Sequence, residues 1–248
     1  MSISLIKELE RKVVISLKKF TDKTVEVEDV NLILDVSGST ANAYMQGKIQ
    51  RIVFRILPIA TKLTKKQKLN VWVFSSEYKR LIPVDIANYV EYVDKEIVKK
   101  GLIGGGTYYA GVMEAIYNLH VGCLNFGFLA WIKRLIAKFF GKAKTDDKVR
   151  KLPILNIFIT DGDNADKFET EKILIKSSRE AMFWQFCGVY SKRFDFLERL
   201  DTLPGTFVDN ASFFQVNDID DISDEELYDR FLKELPSWIE KAAKEGIL

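Results

Sequence analysis

The hydrophobic positions of this 248-residue chain follow two rhythms. Short apolar runs bounded by turn residues read as buried strands over 24–34, 69–74, 152–159, 183–189 and 212–216. Stretches with the helical period lie between them. Ile6, Leu9, Val13, Leu17 and Phe20 mark one over residues 3–20, and Leu5 widens its apolar face. Ile49, Ile52, Val53, Ile56 and Leu57 mark another over 45–63, where Pro58 is expected to bend or break the helix. Tyr109, Val112, Met113, Ile116 and Tyr117 mark a third, fed by a glycine triplet at 104–106. Further helices are predicted over 88–98, 165–182 and 195–203. A last one starts after Ser223, whose S-x-x-E pattern signals a cap. Its inner face is Leu227, Phe231, Leu235, Trp238 and Ile239. Residues 79–84 read as a short edge strand, where Pro83 is tolerated.

Strands alternating with helices predict an α/β fold: a doubly wound, mainly parallel sheet flanked by helices. The length fits a single domain over 1–248. Its N-terminal amphipathic helix falls within 1–23 and lies on the domain or on a partner. Residues 120–151 break the rhythm and read as an insertion. Phe128, Leu129, Ile132, Leu135, Ile136, Phe139 and Phe140 repeat there at helical spacing. This segment holds eight Lys/Arg against two Asp, a net +6, in a chain whose formal net charge is +2. The rest is therefore mildly acidic, which argues against a general nucleic-acid binder.

Composition adds little else. At 47% hydrophobic and 29% charged residues, the chain can bury a large core. Its two cysteines, Cys123 and Cys187, form no framework, and the charged N-terminus reads as no signal peptide. No transmembrane span is expected. The expected location is the cytoplasm, with peripheral contact at the inner membrane face if the basic insertion, through 126–144, lies on anionic lipid.

The chemistry concentrates where the first buried run ends. Asp35, Ser37 and Ser39 alternate with Val36 and Gly38, so an extended backbone aims all three side chains one way. A carboxylate and two hydroxyls are hard ligands suited to Mg²⁺, Mn²⁺ or Ca²⁺. A Ser-rich turn capping the next helix is the alternative. Thr107 follows the glycines, and Asp161 follows the most hydrophobic strand. Alone, Thr107 reads more readily as a cap for the helix at Tyr109, and Asp161 equally as a turn residue. Asp163 and Asp166 read as helix N-terminal residues. In a doubly wound sheet the loops carrying Asp35, Thr107 and Asp161 can meet at one edge. Together they offer two carboxylates and three hydroxyls, leaving Mg²⁺ to take water and one outside ligand.

This arrangement resembles the metal-ion-dependent adhesion site of von Willebrand factor type A domains: D-x-S-x-S, then a distant Thr, then a distant Asp ending a strand. GGTYYA at 105–110, FWQF at 183–186, FLERLD at 196–201, LPG at 203–205, VDNASFF at 208–214 and SDEELYD at 223–229 resemble the bacterial tellurium-resistance branch, the TerF-type C-terminal domain. The resemblance covers most of 28–248. It implies that the serines and the threonine coordinate the metal, that the aspartates act often through water, and that the open position takes a partner protein's carboxylate. It departs from the pattern at 120–151, and the TerD-like module of full TerF-type proteins is not in this sequence.

The expected function is thus a metal-dependent protein-interaction module of a bacterial stress response, and no enzyme. A Mg²⁺-dependent phosphohydrolase is the competing reading. Against it, the first loop lacks a D-x-D pair, no G-x-x-x-x-G-K-[ST] loop occurs, and the sole histidine, His120, reads as an ordinary helix-end residue. A membrane adaptor using the insertion is a third.

Overall fold

The computed structural model describes residues 3–124, 151–162, 164–191 and 193–248. Nearly all of the proposed insertion, at 125–150, lies outside these, as does Asp163. Six strands form one sheet: β1 (Asp29–Asp35), β2 (Leu69–Phe74), β3 (Tyr78–Arg80), β4 (Ile154–Thr160), β5 (Met182–Val189) and β6 (Ala211–Val216). Their spatial order is β3-β2-β1-β4-β5-β6. All neighbours are parallel except β2 and β3. The chain builds outward from β1 to one side, then returns to lay down β4, β5 and β6 on the other. The order therefore reverses between β1 and β4, and the crevice beyond their carboxyl ends is where such sheets take ligands.

Alternation along β1 separates two cores. Val30, Leu32 and Leu34 join the core shared with helices α1 (Ile3–Lys18) and α3 (Lys48–Leu63), while Ile33 faces the second core. That second core packs under α4 (Ala110–Leu124), α5 (Lys167–Ser177) and α6 (Asp195–Asp201). A short helix α2 (Ala41–Met45) precedes α3, and α7 (Asp224–Leu232) and α8 (Leu235–Lys244) close the chain. Ile6, Leu9, Val13 and Leu17 are buried, and α1 lies on α3 and α7 of its own domain. Among the described residues no helix is long and apolar enough to cross a membrane.

Several elements differ from their sequence reading. Pro58 lies inside α3 without ending it. Ile56, Leu57, Ile59 and Ala60 around it are fully buried, and that packing outweighs the roughly 3 kcal/mol cost of an interior proline. Residues 88–98 hold only one wide helical turn, Asp94–Val98, with Lys99 N–H reaching back to Asp94 O. The edge strand starts earlier than expected and runs antiparallel, although Leu69 and Val84 still exchange two 2.8 Å main-chain bonds. The last predicted helix is two, α7 and α8, with Ser223 capping the first through Glu226 N–H.

Both sheet margins are protected. The three residues of β3 are short and exposed, two of them basic. On β6, Asp201 takes the Phe213 N–H at 2.8 Å and Arg230 donates to Gln215 O at 3.0 Å.

Polar residues cross the sheet at one level. Asn70, Asn31 and Asn156 sit in register, and Asn31 donates to Asn156 Oδ1 at 2.8 Å. His120 is half-buried in the third turn of α4 rather than set at a helix end. Its Nε2 lies 3.5 Å from Asn31 Nδ2 and its Nδ1 3.9 Å from Asp29, and burial lowers its pKa.

One face of α3 is a basic ladder. Lys48 pairs with Asp218 at 2.5 Å, Arg51 with Asp220 at 2.6 Å and Arg55 with Asp224 at 2.8 Å. Arg55 is buried and also donates to Ile219 O and, at 2.9 Å, to Ile222 O. Replacing Arg55 by Met keeps the apolar stem and removes every donor. Urea denaturation of Arg55→Met is expected to show a loss of about 2–3 kcal/mol.

Candidate metal centre

Asp35 is the last residue of β1 and is buried. Its carboxylate is held on both sides. Oδ1 accepts the Ser37 N–H at 2.8 Å, and Oδ2 accepts the Thr160 hydroxyl at 2.7 Å. Thr160 ends β4, so this second bond ties the two strands together where the sheet order reverses. Burial pushes the Asp35 pKa up to about 6, against the downward pull of the Ser37 and Thr160 bonds. Tyr44 on α2 donates to Asp35 O at 2.8 Å and fixes the strand end from the other side.

Past Asp35 the chain enters a tight turn, Gly38–Thr40. Ser37 and Thr40 precede helical segments, yet neither side chain caps one. The capping alternative for this loop therefore fails. Ser37 Oγ lies 3.1 Å from Ser39 Oγ, and Ser39 Oγ donates to Asp161 Oδ1 at 2.9 Å. Asp161 directly follows β4 and is half-buried, and burial raises its pKa while the Ser39 bond opposes the rise. Four of the five sequence-selected residues are thus joined in one chain of contacts. Neither carboxylate has a Lys, Arg or His partner among the described residues.

Thr107 arrives through the glycine loop. Gly104 N–H donates to Val36 O at 2.7 Å, Gly38 N–H to Gly105 O at 3.2 Å, and Ala165 N–H to Thr107 O at 2.9 Å. These bonds sew the second loop to the first and third. Gly105 has φ +84°, and a Cβ there would sit 2.9 Å from Ser76 Oγ, so glycine is required on both counts. The Thr107 hydroxyl makes no hydrogen bond to Asp35, Ser37, Ser39 or Asp161. It does not cap α4 either. Asp166 does that from the β4 loop, accepting Tyr109 N–H at 2.9 Å and Ala110 N–H at 2.8 Å. Asp166 does stand at the N-terminus of α5, as its sequence position predicts, where its main-chain O accepts the Thr170 N–H, while its carboxylate serves α4.

The supporting residues lie outside the five. Tyr109 is fully buried among Phe74 and Phe158, and its single hydroxyl proton is shared between Gly162 O and Thr160 Oγ1, the latter at 3.0 Å. A relay thus runs from Tyr109 through Thr160 to Asp35. The sequence signals were faint: a Thr beside Asp161 and a Tyr two residues after Thr107.

The donor set suits a hard divalent cation. Two carboxylates made costly to ionise by burial, with no side-chain countercharge among the described residues, gain most from a cation, and Ser37, Ser39 and Asp161 already lie within contact of one another. Asp166→Ala should cost about 1–2 kcal/mol by loss of the double cap. Hydrogen exchange should then rise first at Tyr109 and Ala110.

A family model described as the vWA domain found in the TerF C terminus matches residues 27–248. Uncharacterized protein YcbR of Bacillus subtilis (strain 168) is 33% identical over 239 residues, which is 96% of this chain and 86% of that one. Among solved structures, proximal thread matrix protein 1 of the mussel byssus aligns with a TM-score of 0.52 at 13% identity. The alignment covers 87% of this chain and 49% of the mussel protein, so the chain spans about half of that protein's length. At such identity the likeness shows the fold alone. The N-terminal domain of TFIIH p34 aligns at a TM-score of 0.49 and 10% identity over 84% of this chain and 97% of its own. With a doubly wound sheet whose switch-point loops gather the acidic and hydroxyl residues, and with the family match running from residue 27 to the last residue, this chain belongs to the vWA-TerF-like family of von Willebrand factor type A domains.

Proposed function

We propose that this domain is a metal-dependent protein-interaction module acting in a bacterial stress response of the tellurium-resistance type. Ser37, Ser39, Thr107, Asp35 and Asp161 hold a divalent cation, Mg²⁺ by preference, with Mn²⁺ or Ca²⁺ as substitutes. When bound, the cation supplies a Lewis-acidic position that an Asp or Glu of a partner protein completes. The observation that carries this reading is the pair of partly or fully buried carboxylates without a side-chain countercharge among the described residues. Asp35 has both oxygens engaged by Ser37 and Thr160, which suits a role through water. The Ser37, Ser39 and Thr107 hydroxyls are not spent on helix caps, which leaves them to the ion.

No catalytic step is assigned to this site. Among the described residues no His, Lys or Cys touches either carboxylate.

Two measurements test the reading. Mg²⁺ added at about a hundred times its Kd should stabilise the protein by about 2.7 kcal/mol in thermal unfolding, and EDTA should reverse the gain. Asp35→Ala should abolish both the gain and the capture of acidic-residue peptides on a surface bearing the protein. Capture that is unchanged by EDTA and by Asp35→Ala would sink the proposal. In Tyr109→Phe the ring stays and the relay is cut. Mg²⁺ affinity should then fall about tenfold by calorimetry, because residues that orient a ligand typically contribute 10–100-fold.

A further inference from the structure

The two helical faces of the sheet carry their surface charge differently. On the α1 and α3 side several cations are paired with carboxylates, Lys12 with Asp224, Lys19 with Asp229, Lys48 with Asp218 and Arg51 with Asp220, while Lys7, Arg11, Lys18 and Lys62 point to solvent. On the outer face of α5 the pattern changes. Lys172, Lys176 and Arg179 are exposed and have no carboxylate partner among the described residues. Each instead lies over an aromatic ring. Lys172 Nζ is 3.9 Å from the Phe168 centroid, Lys176 Nζ 4.2 Å from that of Tyr117, and Arg179 Cζ 4.8 Å from that of Phe207. Phe168 and Phe207 are themselves 61% and 45% exposed.

Positions 168, 172 and 176 share one arc of the helix, at 100° per residue, and extend for about 12 Å along it, while Arg179 lies in the turn just past its C-terminal end. Phe207 is fastened beside its far end by a 2.8 Å bond from its N–H to Ser178 Oγ. Glu169 flanks the stripe, and Glu180 beyond it faces Lys151 at 3.9 Å. The stripe is therefore convex, basic and aromatic, and it is held in place from two loops and a neighbouring helix.

We propose that this face of α5 rests on an anionic lipid bilayer. Phe168 and Phe207 enter the interfacial zone while Lys172, Lys176 and Arg179 stay at the level of the headgroup phosphates. An ammonium over its own exposed ring is the arrangement a side chain needs to hold charge in the headgroups above a buried aromatic. A single-stranded nucleic acid is the poorer fit. Bases stack on open ring faces in a groove, and here a cation already covers one face of each ring on a convex surface. The neighbouring sequence has the same character. Tyr117, under Lys176, belongs to α4, and the chain continues from that helix into the stretch of net charge +6 at 120–151.

This inference is independent of the cation site, so its test is run in EDTA throughout. The full chain is floated with phosphatidylcholine vesicles and with mixed phosphatidylcholine–phosphatidylglycerol vesicles. The wild type should bind the mixed vesicles only, and less so at high salt. The triple variant Lys172→Glu, Lys176→Glu, Arg179→Glu should lose about a hundredfold or more in partitioning, since each such cation near an anionic surface contributes several-fold. Phe168→Ser with Phe207→Ser should also weaken it. All five positions are exposed, and an unchanged circular dichroism spectrum establishes that the variants fold. Undiminished flotation of the triple variant would overturn the proposal and move the contact to residues 120–151. Equal binding to uncharged vesicles would overturn it. Failure to bind vesicles, with capture of a single-stranded oligonucleotide or an acidic peptide instead, would overturn it as well.

Discussion

One hydrogen bond joins the halves of this molecule where it matters most. The Thr160 hydroxyl, at the end of β4, donates to the Asp35 carboxylate at the end of β1. These central strands are neighbours in space but far apart in sequence, and the sheet's order reverses between them. The bond fixes the orientation of a buried carboxylate and sets the width of the crevice at the same time. Tyr109 holds Thr160 from one core, and Tyr44 holds the Asp35 main chain from the other. A carboxylate held this firmly cannot swing away to be solvated. It keeps a charge that burial makes costly, and a divalent cation is the natural neutraliser of such a charge.

Much of this was legible in the sequence. The strands are runs of branched and aromatic residues that cannot be buried any other way, and all five long ones fall near their predicted places. The three loops could be foreseen to converge because carboxyl ends of parallel strands share one edge. Other features were not readable. Pro58 has the same local chemistry whether it ends a helix or not, and packing on both sides decides. The preference of residues 88–98 for a helix is real but weak, and the loop's anchoring through Asn88 and Tyr92 overrides it. Asp166 is the clearest case. Sequence places Asp166 at the start of α5, where it does stand, but only the fold shows its carboxylate reaching the start of α4. Little in the local sequence marks Thr160 and Tyr109, and only contacts across the crevice give them a role.

Charge is distributed with similar economy. On the face covered by α1 and α3, Lys12, Lys48, Arg51 and Arg55 are neutralised by the acidic segment that leads into α7. That pairing positions the C-terminal helices over the sheet. On α5 aromatic rings take the place of carboxylates beneath the cations, so the positive charge remains available to the outside. The net charge of +2 therefore describes neither face. One side spends a row of cations on ion pairs that hold the C-terminal helices, and the other sets a row of cations over aromatic rings.

The two sheet margins restrict how this domain can meet other chains. On β6 a carboxylate takes a main-chain donor and a guanidinium covers a main-chain acceptor, while β3 offers only three residues, two of them cationic. A neighbouring strand seeking to extend the sheet would first have to displace these side chains. Main-chain pairing is indifferent to sequence, so an open margin would welcome almost any extended peptide, including another copy of this chain. With that route blocked, a partner is left with surfaces that discriminate by side chain, and copies crowded at high concentration have no backbone template on which to stack.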